Sequence, residues 1–163
     1  VDDPTMLSSP VSLAKFDQHW DARLLTGSCD STWASDKMEQ QSMGGVVMMF
    51  AGAAIYYKTR LQPVVALSST EAEFVSMADA GKAALYIRWI LEELGVIQLK
   101  PTPIKADNAA AIKIANAGKP TRRIRHLDIK HFIILQWCDD ELISFHETRS
   151  NSCYSNSLSK PTK

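Results

Sequence analysis

Hydrophobic spacing changes at Ser68, and that change restricts what this chain can fold into. Before it, "GGVVMMFAG" (44–52) and "AAIYYKTRL" (53–61) are β-favouring runs divided by small residues, the pattern of a hairpin. After it, Met77, Ala80, Ala84, Ile87, Leu91 and Leu94 recur at intervals of three and four. That is the stripe of an amphipathic helix, and Gly95 supplies its stop. Farther on, "TPIKAD" (102–107) reads as a short strand and the alanine-rich "NAAAIKIANAG" (108–118) as a helix. A second amphipathic segment sets Ile129, Phe132, Ile133 and Trp137 on one side, and "ELISFHE" (141–147) alternates like a strand. Upstream, "DARLLTGSCDSTWASD" (21–36) holds a strand leading to Asp30. The order is three strands, long helix, strand, helix, helix, strand, then a serine-rich tail over 150–163. Strands separated by helices favour parallel pairing and the opening run favours antiparallel pairing, so a mixed sheet with helices packed on it satisfies both.

At 163 residues and 45% hydrophobic content the chain has material for one core. Residues 1–20 are polar, carry Pro4 and Pro10, and read as an irregular leader or linker, leaving 21–163 as the domain. The first residues lack the basic and apolar regions of a signal peptide, and a start at Val1 reads as a cut from something longer. No apolar run approaches the roughly 20 residues of a membrane span. The three cysteines, Cys29, Cys138 and Cys153, have no paired spacing, which argues against a disulfide framework and for a reducing compartment. Basic and acidic residues balance at 18 each, so a polyanionic partner would have to meet a local patch. One exists: Arg122, Arg123, Arg125, His126, Lys130 and His131, with Lys113 and Lys119 beside it, suit phosphate contacts. The same residues also fit a solvated helix end and loop. Trp33, Trp89 and Trp137 sit in apolar surroundings and read as core; Met48 and Met49 belong to a strand.

Three carboxylates stand at element ends. Asp30 follows the first strand, Glu73 sits in the first turn of the long helix, and Asp107 ends the fourth strand. In a sheet with a parallel centre such ends collect at one edge. Three carboxylates gathered there repel one another unless cations lie between them, and hard oxygen donors suit Mg²⁺ or Mn²⁺. A local reading competes. Ser68 with Glu71, and Thr70 with Glu73, fit capping boxes; Asp107-Asn108 fits a turn and N-cap; Asp30 before Ser31 and Thr32 does as well. Spacing alone leaves both open.

"CDSTWASD" (29–36), "ALSSTEAEF" (66–74), "ADNAAAI" (106–112), "RHLDIKHF" (125–132) and "SLSKP" (157–161) occur in that order. Together they resemble the ribonuclease H domain of copia-type retrotransposon polyproteins, over about residues 22–161. The resemblance implies an α/β ribonuclease H-like fold: a five-stranded mixed sheet, its first three strands antiparallel, with helices on both faces. It implies divalent-metal-dependent hydrolysis of the RNA strand of RNA–DNA hybrids with Mg²⁺ or Mn²⁺, an adjacent reverse transcriptase domain, and a cytoplasmic retroelement particle or the nucleus. Its metal ligands fall on Asp30, on Glu73 rather than Glu71, on Asp107, and on Asn156 where the family has a fourth aspartate.

The departures are specific. Thr32 stands where the family usually has a second acid. The family's ending resembles N-x-A-D-x-x-T-K-P; "SCYSNSLSKP" (152–161) puts Asn156 at the aspartate, Ser155 at the alanine and Ser159 at the threonine. An asparagine keeps a carbonyl oxygen and loses the charge, so weakened or absent hydrolysis with retained hybrid binding is expected. Two other readings compete: a nucleic-acid-binding or structural module supporting a reverse transcriptase, and a recombinase or integrase core. The latter uses a later glutamate as its last ligand, and the "TEAEF" helix argues against it.

Overall fold

The two β-favouring runs around Ala51-Gly52 form the expected hairpin in the computed structural model, which describes residues 23–33, 41–63, 65–116 and 128–148, with only the backbone of 128–131. Strand β2 (Met43–Phe50) turns into β3 (Ala53–Leu61) through Ala51 and Gly52. Both turn residues have positive φ, 51° and 78°. That conformation matches the right-handed twist of the flanking strands. β1 (Thr26–Thr32) pairs antiparallel with β2 and parallel with β4 (Thr102–Ala106), and β4 pairs parallel with β5 (Ile143–Glu147). The result is one five-stranded mixed sheet in the order β3-β2-β1-β4-β5.

Helix α1 (Ser69–Glu93) lies across β1 and β2. Its stripe of Met77, Ala80, Ala84, Ile87 and Leu91 is buried, as the spacing predicts. Leu94 is its C-cap and is 71% exposed, and Gly95 follows with φ 77°, where a glycine ends a helix without strain. Helices α2 (Ala109–Asn116) and α3 (Asp128–Asp139) pack on each other, on α1 and on β5. Gly81 is the point where α1 meets α3: a Cβ there would lie 2.8 Å from the Trp137 ring. Leu25, Met48, Phe74, Met77, Ile104, Ile134 and Ile143 fill the core.

Three expectations need correction. Trp33 is 51% exposed and Trp89 57% exposed, so neither is core; of the three tryptophans among the described residues only Trp137 packs against it. At about 100° per residue, Trp89 lies nearly opposite the buried stripe of α1, so its position on the helix overrides its hydrophobicity. Phe132 is 53% exposed as well. α3 buries Ile134 and Leu135 instead, so its inward face is rotated from the one the spacing of 129, 132, 133 and 137 suggests. Element ends also shift. β1 runs two residues beyond Asp30, and β5 begins at Ile143 because Glu141, with φ 54°, belongs to the preceding turn.

Candidate metal centre

β1 and β4 lie side by side and parallel, paired at Gly27 with Ile104 and at Ser28 with Lys105. Continuing that register by two residues sets Asp30 beside Asp107. Both then lie at the carboxyl edge of the parallel strands, next to the antiparallel half of the sheet, where open sheets bind ligands. α1 enters over the same edge and brings Glu73 in its first turns.

The two glutamates of "SSTEAEF" divide two tasks. Ser68 is the N-cap of α1 and its Oγ accepts from the Glu71 amide at 3.2 Å. The Glu71 carboxylate accepts from the Leu67 amide at 2.7 Å, so Glu71 closes the helix start. The second capping box, Thr70 with Glu73, does not form; Glu73 Oε1 accepts instead from the Ser31 amide on β1 at 3.1 Å. A similar division holds at the fourth strand. Asn108 Oδ1 accepts from the Ala110 and Ala111 amides and caps α2, leaving the Asp107 carboxylate to the cluster.

Asp30, Glu73 and Asp107 each place an oxygen such that all three lie within 4.8 Å of one another. Asp30 and Glu73 are buried and Asp107 is half-buried. Full charges at that spacing repel by roughly 3 kcal/mol per pair at an effective dielectric near 20. The strain is visible in Glu73: burial first, then Asp30 and Asp107, push its carboxyl up from 4.5 to about 8, against the opposing contacts from Ser31. Its Oε2 is buried with no hydrogen-bond partner. The hydroxyls of Ser28 and Thr32, on β1 either side of Asp30, are likewise buried and unpartnered. Buried polar atoms are rarely left so, and their concentration at one strand end is what a water or ion between them would relieve. An orphaned carboxylate oxygen in a ring of hard oxygen donors fits a divalent cation.

Of the predicted site residues, the structure brings Asp30, Glu73 and Asp107 together. Asn156, Arg122, Arg123, Arg125 and His126 lie outside the described residues, and Lys130 and His131 are placed only as backbone in the first turn of α3. Lys113 is exposed near the end of α2. Sequence reasoning missed Ser31, whose amide fixes Glu73, and Trp33, whose Nε1 donates to the Ala66 carbonyl at 3.0 Å. No local pattern marks either residue, since the two contacts join positions 42 and 33 residues apart.

The chain is 31% identical over 137 residues to a retrovirus-related Pol polyprotein from transposon TNT 1-94 of Nicotiana tabacum, covering 84% of this chain and 10% of the relative. It is 26% identical over 132 residues to that from transposon RE1 of Arabidopsis thaliana, covering 81% of this chain and 9% of the relative. The chain thus spans about a tenth of the length of these curated relatives. No protein-family model matches. Among solved structures, LC11-RNase H1 in complex with an RNA/DNA hybrid superposes with a TM-score of 0.61 at 9% identity, covering 82% of this chain and 92% of that one. The prototype foamy virus protease-reverse transcriptase gives 0.55 at 12% identity, covering 83% of this chain and 20% of that one.

Proposed function

We propose, because this chain belongs with the ribonuclease H domains of retrotransposon Pol polyproteins, that it is a divalent-metal-dependent nuclease acting on the RNA strand of RNA–DNA hybrids. The observation that carries this reading is the convergence of Asp30, Glu73 and Asp107 within 4.8 Å, with Glu73 Oε2 buried and unpartnered. These three side chains would hold Mg²⁺ or Mn²⁺. When bound, such ions supply Lewis acidity, activating a water and stabilising the leaving oxygen of a phosphodiester. The Ser31 amide keeps Glu73 turned toward the two aspartates. Arg122, Arg123, Arg125, His126, Lys130 and His131 supply phosphate contacts that position the duplex without reading its sequence.

Asn156 takes the place of a fourth acidic ligand and leaves the site one negative charge short. Hydrolysis is therefore weakened while hybrid binding persists. That substitution also favours a second reading, a nucleic-acid-binding module that supports an adjacent reverse transcriptase and cuts nothing. The partners proposed are the hybrid and that reverse transcriptase, within a cytoplasmic retroelement particle, with residues 1–20 as linker. The test is cleavage of a labelled RNA–DNA hybrid with Mg²⁺ and with Mn²⁺, comparing the chain with Asn156→Asp. Slow cutting that Asn156→Asp accelerates supports the nuclease reading. Equal cutting by both refutes the placement of the fourth ligand, and no cutting by either favours the binding module.

A further inference from the structure

We infer that Trp33 is a substrate-contacting residue: a fixed aromatic platform beside the acidic cluster that takes the flat sugar–base face of a nucleotide next to the reacting phosphate. This rests on the nuclease reading. Trp33 follows the last residue of β1, three residues after Asp30, and at about 3.3 Å per residue its Cα lies up to roughly 10 Å from that of Asp30. That offset addresses a neighbouring nucleotide rather than the phosphate at the carboxylates.

The ring is both exposed and held. It is 51% exposed, yet its Nε1 donates to the carbonyl of Ala66, a residue 4% exposed. The indole's polar group is therefore satisfied within the protein, and what remains for a ligand is an apolar face in a set orientation. A side chain already fixed loses little freedom on binding. The anchor also ties the ring to the cluster. Ala66 lies two residues before the N-cap of α1, the helix that carries Glu73, while β1 carries Asp30. The Ser31–Glu73 bond joins the same two segments. Trp33 is thus tied to both segments that carry the buried carboxylates.

Its surroundings specify the ligand chemistry. Val65 and Leu67, the chain neighbours of Ala66, are 45% and 80% exposed. Leu61, joined to the end of β1 through the register Thr32–Met43–Leu61, is 40% exposed. Exposed apolar side chains on the segments flanking this anchor offer no charge to phosphates. They suit the flat faces of nucleotides, which stack on aromatic side chains with little regard to sequence. A second exposed aromatic group, Tyr86 and Trp89 with ring centroids 6.2 Å apart, begins 13 residues after Glu73, roughly 20 Å along the helix, and does not reach the cluster.

The test separates the ring from its N–H. Trp33→Phe keeps a flat ring and loses the donor; Trp33→Ala and Trp33→Leu lose the ring. Affinity for a fluorescently labelled RNA–DNA hybrid is read by anisotropy in Ca²⁺, alongside the melting temperature of each variant. We expect Trp33→Ala and Trp33→Leu to bind about tenfold more weakly and Trp33→Phe within threefold of the parent, with the loss uncorrelated with melting temperature. Parent-like binding by Trp33→Leu overturns the inference alone. So does an equal loss in all three variants that tracks stability, which would make Trp33 a latch on Ala66 and nothing more. Failure of the parent to bind hybrid overturns the nuclease reading and this inference with it.

Discussion

Glu71 and Glu73 stand two residues apart on one helix, and their environments give them opposite effects on stability. Glu71 accepts from Leu67 and returns its own amide to Ser68. Replacing it with alanine costs about 1 kcal/mol, as lost caps do, and leaves cation affinity unchanged; denaturant titration and calorimetry with Mn²⁺ check both. Glu73 is held in a repulsive group, with its carboxyl raised to about 8. A carboxyl whose folded value exceeds its unfolded value binds its proton more tightly when folded. Its protonated form therefore supports the fold below about pH 4.5, and that support is lost as the pH rises toward 8. Without divalent cations the protein is expected to lose stability across that window. Glu73→Gln flattens the decline and abolishes cation binding, and melting temperatures in EDTA at a series of pH values measure it. Asp30, Glu73 and Asp107 were legible from sequence as candidates near element ends, and the family resemblance chose them; Asp30 itself lies two residues inside the end of β1. Which glutamate caps and which joins the cluster was not legible from spacing, since both fit a capping box; the Ser31 amide, 42 residues away, settles it.

Elements were legible where one period dominates a long run. The hairpin and α1 lie where the two β-favouring runs and the three-four stripe put them. Short helices were less so. α3 has apolar residues on several sides, and its contacts choose Ile134 and Leu135 for the interior while Phe132 stays outside. The α1–α3 junction depends on a missing side chain. At Gly81 an alanine would gain about 1 kcal/mol of helix propensity. Its Cβ would meet the rigid ring of Trp137 at 2.8 Å and Ile143 at 3.3 Å. The collision prevails, so Gly81→Ala is expected to destabilise by roughly 1–2 kcal/mol net, a fall of several degrees in melting temperature. Pairing it with Trp137→Leu should restore much of the loss, read by the same thermal melts. The hairpin offers the reverse. Ala51 holds φ 51° without need of its side chain, and Ala51→Gly relieves a left-handed strain of about 1 kcal/mol.

At the scale of the whole molecule, strand order turns scattered positions into a site. Asp30, Glu73 and Asp107 are 43 and 34 residues apart in sequence, and no local pattern joins them. A central β1, antiparallel to β2 on one side and parallel to β4 on the other, brings two of them to one edge, and α1 delivers the third. Elements and their order were readable from hydrophobic periods; the pairing of β1 with β4, separated by a hairpin and the longest helix, follows from topology alone. The function proposed for this site requires that the three carboxylates share a divalent cation. Anomalous diffraction from crystals soaked in Mn²⁺ tests it most directly. A shared ion gives a peak about 2.0–2.5 Å from oxygens of Asp30, Glu73 and Asp107. Saturating Mn²⁺ with no peak there, or a peak touching only one of the three, would contradict it.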